Sequence, residues 1–256
     1  MSDDILIGRA ERVLTITINR PARRNALTSA MYRTMADALE DAEQDPALRA
    51  ILIRGHADVF TAGNDIEDFL KAPPTGDDSP VIRFLHAIAS AQKPLVAAVT
   101  GAAIGVGTTL LLHCDLVYAA DSARFALPFV QLGLCPEAAS SLLLPRVAGY
   151  QAAAEKLLLG DAFDANEAQR MGFVTRVLPA AELDAHVAAQ LSRLVALPAA
   201  SLRVTRSLMK RAGAHEVRTQ MDEERVHFAR MLLAPEAREA FSAFLEKRKP
   251  DFTQFD

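Results

Sequence analysis

The sequence predicts an α/β protein with a purely helical C-terminal part. Three observations carry this. Short β-branched runs are each followed by a glycine-bearing turn and a helical segment, once from about residue 50 to 70 and again from 95 to 126. From Ser140 onward the pattern is almost wholly helical. With 256 residues, half of them hydrophobic, the chain can bury a sizeable core. The boundaries that follow are a core over 1–195 and a helical region over 196–256, whose apolar faces need the core or another subunit to pack on.

The elements follow in order. Ile5–Ile7 and Val13–Ile18 are β-rich runs separated by Gly8 and charged residues, which predicts a hairpin stopped by Asn19-Arg20-Pro21. Thr28 or Ser29 caps a helix reaching Glu43, with Met31, Met35, Ala38 and Leu39 on one face. Residues 50–53 form a buried strand ending at Gly55. A turn over 59–65 feeds a short helix toward Leu70. Residues 71–80, KAPPTGDDSP, suit a mobile surface loop. Residues 81–91 are helical, 95–99 a strand, 101–107 a turn, 108–112 a helix, and 116–119 and 124–126 strands. Asp164-Ala165-Asn166-Glu167 is a capping box and Gly172 a helix stop. A last strand spans 173–178. Helices over 181–196, 199–211, 216–233 and 236–249 complete the chain, separated by Pro198 and Pro235.

Composition excludes several classes. The net charge is -4 and Lys and Arg are scattered, so nucleic acid has no electrostatic footprint here. Cys114 and Cys135 form no metal-type pairing and no disulfide framework, which points to a reducing compartment and a cytoplasmic location. The acidic start, Met1 to Ile5, does not read as a secretory or transit peptide. The stretch 95–112 has no charged residue and the length of a membrane span. Its glycines and threonines break it into a buried strand, a turn and a helix, so no membrane partner is expected.

The chemistry concentrates in two turns. Gly101-Ala-Ala-Ile-Gly105-Val-Gly107 lies between a strand and a helix. A dinucleotide fingerprint fails because Leu110 stands where its third glycine would be, and no P-loop lysine follows. What remains fits either a close-packed turn or free N–H groups at a helix start, which attract negative charge. Ala62-Gly63-Asn64 repeats this arrangement. Two such turns, aimed at one oxygen, would form an oxyanion hole, each donor of which contributes about 3–4 kcal/mol to a transition state.

These turns belong to a longer series: Asn19-Arg20-Pro21 with Asn25-Ala26-Leu27, Phe60-Thr61-Ala62-Gly63-Asn64-Asp65-Ile66, Gly101 to Gly105 through Cys114-Asp115, Leu132-Gly133-Leu134-Cys135-Pro136-Glu137, and the ending Phe244 to Phe252. In this order they resemble the crotonase (enoyl-CoA hydratase/isomerase) pattern over nearly the whole chain. The resemblance implies a spiral of ββα units with a C-terminal helical trimerisation region, and acyl-CoA thioester substrates. It implies a homotrimer or hexamer, and no cofactor other than the coenzyme A carried by the substrate. It makes the N–H groups of Asn64 and Val106 the oxyanion hole, and main-chain groups of Ala62, Asp65 and Ile66 the holders of the adenine end.

The departures are as telling. Hydratases of that family use two glutamates; by motif these would fall at Thr109 and Phe129, neither an acid. Glu137 instead stands where the family's Δ3,Δ2-enoyl-CoA isomerases carry their single catalytic carboxylate, and where related dehalogenases carry an aspartate nucleophile. Read alone, Glu137 after Pro136 also fits an acidic residue in a helix's first turn. A glutamate titrating near 4.3 is a poor base at neutral pH unless burial raises it, and Leu132, Leu134, Ala138 and Ala139 offer such burial. The expectation is an enzyme of fatty-acid or related acyl-CoA catabolism that isomerises 3-enoyl-CoA to 2-trans-enoyl-CoA. The alternatives are a hydratase with an atypical site, a hydrolase or dehalogenase with Glu137 as nucleophile, and a non-catalytic acyl-CoA binder. His113-Cys114-Asp115 resembles a triad, but consecutive side chains diverge, and a packed helix end is expected there. Without a G-x-S-x-G elbow, Ser140 and Ser141 are poor nucleophiles. Lys247, Arg248 and Lys249 fit either CoA phosphates or a solvated helix face.

Overall fold

The computed structural model describes residues 4–56, 58–71, 76 and 78–255. Two sheets organise the first two thirds of the chain. The larger contains β1 (Ile5–Ala10), β2 (Val13–Ile18), β3 (Ala50–Gly55), β4 (Leu95–Val99), β6 (Leu116–Ala120) and β9 (Arg176–Leu178), in the order β1-β2-β3-β4-β6-β9. Only β1 and β2 are antiparallel; every later pairing is parallel. The smaller sheet contains β5 (Ala102–Ile104), β7 (Arg124–Ala126) and β8 (Phe163–Asp164), in the order β5-β7-β8.

The larger sheet is covered on both faces, which explains why β3 and β4 read as unbroken apolar runs. Ile51, Ile53, Leu95, Ala97 and Val99 face the main core with α1 (Ser29–Gln44) and α3 (Pro80–Ser90). Ala50, Leu52, Val96 and Ala98 face the opposite way, onto Leu183, Val187 and Leu191 of α8 (Ala180–Ala196). Thr28 caps α1, its hydroxyl accepting the Met31 N–H at 3.4 Å, and the expected apolar face of that helix is buried.

The strand–turn–helix echo is a physical pairing. The turn after β3 leads into α2 (Ile66–Lys71), and the turn after β4 into α4 (Val106–Thr109). Thr61 and Ala103 form a parallel bridge, with Thr61 N–H donating to Ala102 O at 2.9 Å and Ile104 N–H to Thr61 O at 3.0 Å. The two turns therefore share backbone hydrogen bonds.

Several expectations need correction. Residues 101–107 are not a simple turn, because 102–104 pair with β7 as strand β5. The helix then begins at Val106 and tightens to a 3-10 turn over Leu110–His113. β1 runs through Gly8 to Ala10, since its ladder with β2 overrides local propensity. The last strand shrinks to Arg176–Leu178, and an unforeseen strand, β8, lies at Phe163–Asp164. The final helix stops at Leu245, not Lys249: Lys247 takes a positive φ of 56° and Arg248 folds back to bind Glu239 and Glu246. Lys247, Arg248 and Lys249 are thus no helix face. Of the loop expected over 71–80, residues 72–75 and 77 lie outside the described residues, Lys71 ends α2 and Pro80 opens α3.

The remaining helices are α5 (Ser140–Ala148), α6 (Tyr150–Leu159), α7 (Ala165–Met171), α9 (Ala199–Lys210), α10 (Ala214–Leu232) and α11 (Pro235–Leu245). Asp164 caps α7 through the Glu167 N–H at 2.8 Å, and Gly172 ends it at φ 94°. α10 buries a stripe of Met221, Glu224, Phe228 and Leu232; Phe228 meets Phe69 of α2 edge-on at 6.1 Å. Among the described residues no helix is long and apolar enough to cross a membrane.

Candidate active site

The first turn is anchored by Asn25. This fully buried residue has φ 58°, and its amide accepts the Arg20 N–H at 2.8 Å and donates to Val59 O at 2.7 Å. The Thr61 hydroxyl donates to the Asn25 carbonyl at 2.7 Å. So the Asn19–Leu27 motif is a structural brace for the turn over 59–65.

That brace fixes the direction of Asn64. Leu27 N–H donates to Gly63 O, and Asp65 N–H to Leu27 O, both at 2.8 Å. In this parallel bridge Leu27 pairs with the groups flanking Asn64, so the N–H of Asn64 points away from Leu27. Gly63 sits at φ 90°, and a Cβ there would lie 3.0 Å from Ile104 O, so only glycine lets the two turns approach this closely. On the second turn, Gly105 (φ 56°) precedes α4, and Val106 is its first residue. The N–H at that position has no partner within the helix. Asn64 and Val106 therefore belong to two turns locked side by side.

The adenine-end residues are more committed than expected. Ala62 N–H donates to Arg24 O at 3.0 Å, and Asp65 N–H to Leu27 O. The Asp65 carboxylate accepts from Arg20 at 2.7 Å and from Asp68 N–H at 3.2 Å. Burial alone would raise its pKa, but these bonds, with the Arg20 and Arg23 charges, hold it below the usual carboxylate range. What Ala62, Asp65 and Ile66 still offer a ligand is carbonyl lone pairs and the N–H at the start of α2.

Glu137 is buried, and its Oε1 has no hydrogen-bond partner. It lines a cavity with Ile82 and Leu85 of α3 and Met221 and Phe228 of α10, whose wall also includes His86, Glu224 and Arg225. Burial pushes its carboxyl up to about 8, and the charge of Glu224 adds to the effect. An acid with that value exchanges protons near neutrality. Tyr32 of α1 is fully buried nearby and raised well above its ordinary value, first by burial and then by the charge of Glu137. Its hydroxyl donates to Asn64 Oδ1 at 2.5 Å, linking α1 to the first turn. Thr109 and Phe129 are both buried and bring no acid.

After Glu137 the chain does something unusual. Ala138 and Ala139 both adopt positive φ, 59° and 55°. Each such non-glycine residue costs about 1–2 kcal/mol, and strain of this kind persists where surrounding groups enforce it. His113 Nε2 lies 2.7 Å from Ala138 O and donates to it. Burial holds His113 down at about 4, so its ring is neutral at physiological pH. As expected, His113, Cys114 and Asp115 do not converge: Asp115 pairs with Arg206 at 2.7 Å, and burial pushes the Cys114 thiol up to about 12. The Ser141 hydroxyl donates to Glu224 at 2.5 Å. Sequence reasoning missed Tyr32 and Glu224, and it named Asn25 within a motif without its bracing role. For Glu224 a signal existed, a charged residue within the apolar stripe of α10, where burial requires partners.

Two glycine turns locked side by side, together with a buried carboxylate that has an unpartnered oxygen, are the features that a reaction polarising a carbonyl and moving a proton would need. Comparison with known proteins supplies the family. The sequence model of the enoyl-CoA hydratase/isomerase family matches residues 8–255. The chain belongs to that family, within the crotonase superfamily. It is 34% identical over 253 residues to an Escherichia coli 2,3-dehydroadipyl-CoA hydratase, covering 97% of this chain and 98% of the relative. It is 34% identical over 255 residues to rat enoyl-CoA delta isomerase 2, covering 97% of this chain and 65% of that protein. The crystal structure of an enoyl-CoA hydratase/isomerase from Pseudoalteromonas atlantica T6c superimposes with a TM-score of 0.93 at 44% identity, covering 98% of this chain and 100% of the other.

Proposed function

We propose that the protein is a Δ3,Δ2-enoyl-CoA isomerase of fatty-acid or related acyl-CoA catabolism, with Glu137 as a one-base proton shuttle. Family membership makes it an acyl-CoA enzyme, and relatives named hydratase and isomerase do not choose between the two reactions. The observation that carries the choice is buried Glu137 with its unpartnered Oε1, while the neighbouring buried Glu224 has both oxygens taken up by Ala139 and Ser141. Hydration would need a second acid at Thr109 or Phe129, which neither provides.

In the proposed reaction the ionised Glu137 takes a proton from C2 of a 3-enoyl thioester. The C2–H electrons flow into the thioester carbonyl, giving a dienolate. Its oxyanion is held by the N–H groups of Asn64 and Val106, donors already fixed before reaction. Collapse of the dienolate moves the double bond to C2=C3, and Glu137 returns the proton to C4. Main-chain groups of Ala62, Asp65 and Ile66 would hold the adenine end. The exposed apolar residues of α9, among them Val204, Leu208 and Met209, support assembly into a homotrimer or hexamer.

The test is Glu137→Gln. The expected variant binds acyl-CoA like the wild type and loses double-bond migration by about 10²-fold or more, the scale of general acid–base catalysis. Retained isomerase turnover would refute the assignment.

A further inference from the structure

The turn that follows Glu137 is held by a side chain 85 residues away in sequence. Glu224 projects from α10 and accepts three hydrogen bonds at the start of α5. Its Oε2 takes the Ala139 N–H at 2.6 Å. Its Oε1 takes the Ser141 N–H at 3.1 Å and the Ser141 hydroxyl at 2.5 Å. Gln220, one helical turn earlier, donates to the Ser141 hydroxyl at 2.9 Å and fixes that group from behind. The bonds fall on the Ala139 N–H, within the strained Ala138–Ala139 pair, and on Ser141 in the first turn of α5. Nothing local in the sequence would keep two alanines in this conformation.

We propose that Glu224 is the positioning residue of the catalytic carboxylate: it closes the N-terminal end of α5 and thereby holds the turn that aims Glu137 into its cavity. The proposal rests on the reading of Glu137 as the base. It also makes the C-terminal helix α10 part of the catalytic apparatus and not only packing.

Glu224 acts on Glu137 in two ways. Its bonds set the geometry, and its negative charge opposes ionisation of Glu137. The other titratable and charged groups around Glu137 are Tyr32 of α1, His86 of α3, Arg225 of α10, Cys135 of its own loop and His113 behind the turn. Burial pushes Cys135 up to about 11, so it stays a neutral thiol. Glu224 is itself raised by burial, against the opposing pull of its bonds from Ser141 and Ala139.

The test compares wild type with Glu224→Gln and Glu224→Ala in the full-length protein, by isomerase kinetics from about pH 5 to 10. Gln keeps one acceptor oxygen but turns an NH2 group toward an N–H donor. The expected kcat falls about 10²-fold, as for a small displacement of a catalytic group, while KM for the acyl-CoA changes little. In Glu224→Gln the acidic limb of the kcat/KM profile moves to lower pH, because the opposing charge is gone. A purely structural role would lower the amount of competent enzyme and leave the limb in place. Wild-type kcat with an unmoved limb in folded Glu224→Gln would overturn the proposal. Should both variants fail to fold, Ser141→Ala removes only the hydroxyl donor; unchanged kcat in that variant would overturn it equally. The titration of the Glu137 carboxyl, followed by 13C NMR and assigned by its loss in Glu137→Gln, separates the two readings. It is expected to move down in Glu224→Gln whether or not any enoyl-CoA turns over. A wild type inactive on 3-enoyl-CoA would sink the reaction assignment, and an unmoved Glu137 titration would sink the role of Glu224.

Discussion

The two halves of the site are held in opposite ways. The turns of Asn64 and Val106 are built around glycines and joined by backbone bonds, braced by Asn25 and by the Thr61–Ala103 bridge. The Glu137 turn is built from two alanines in a conformation they resist, and is held by His113 and Glu224 from elsewhere in the chain. The proposed oxyanion hole needs donors that do not move, and the braced glycine turns fix them in place. A proton shuttle needs a carboxylate away from water, so its turn must be buried and held by groups from other elements. In the proposed reaction, electrostatic preorganisation and proton affinity are thus secured by different kinds of structure.

The sharpest way to break this comparison is at the glycine turns. Gly101 has φ 57°, and a Cβ there would lie 1.8 Å from the backbone oxygen of Asp58. Neither group can yield without opening the turn. Gly101→Ala is expected to lose on the order of 5 kcal/mol of stability, in the range reserved for forced backbone change. Thermal unfolding checks this; a melting temperature within a few degrees of wild type would show that the turn is not locally determined.

A smaller effect sharpens the comparison at the carboxylate. Glu137 has a folded value of about 8 against an ordinary 4.5. Below the ordinary value both states hold the proton, and the group's stabilising contribution is fully present. As pH rises toward 8 the unfolded chain releases the proton while the folded chain keeps it, so that contribution is progressively lost. Glu137→Gln has no such loss. Its advantage over wild type is expected to grow with pH across this window, to on the order of 4 kcal/mol. Urea unfolding at several pH values measures it. Parallel stability curves for the two proteins would mean that Glu137 is not buried as an acid in solution.

The same contrast explains what the sequence made legible. The parallel strands announced themselves as apolar runs, the capping box at Asp164 and the stop at Gly172 were local, and so were both glycine turns. Glu137 stood out because its motif lies within a few residues. β5 and β8 were hidden because three- and two-residue strands exist only through partners distant in sequence. Glu224 was hidden for the same reason: its partners, Ala139 and Ser141, lie 85 and 83 residues away. Only its place in the apolar stripe of α10 hinted at burial. The end of α11 was misjudged because the chain folds back to pair Arg248 with Glu239, a contact no helical period encodes.

The most direct measurement follows the proton itself. Wild-type protein is mixed in single turnover with a 3-enoyl-CoA deuterated at C2, in ordinary water, and the product is read by mass spectrometry and NMR. A one-base shuttle through buried Glu137 predicts 2-enoyl-CoA carrying deuterium at C4. A 3-hydroxyacyl-CoA product, or 2-enoyl-CoA with no deuterium at C4, would contradict it.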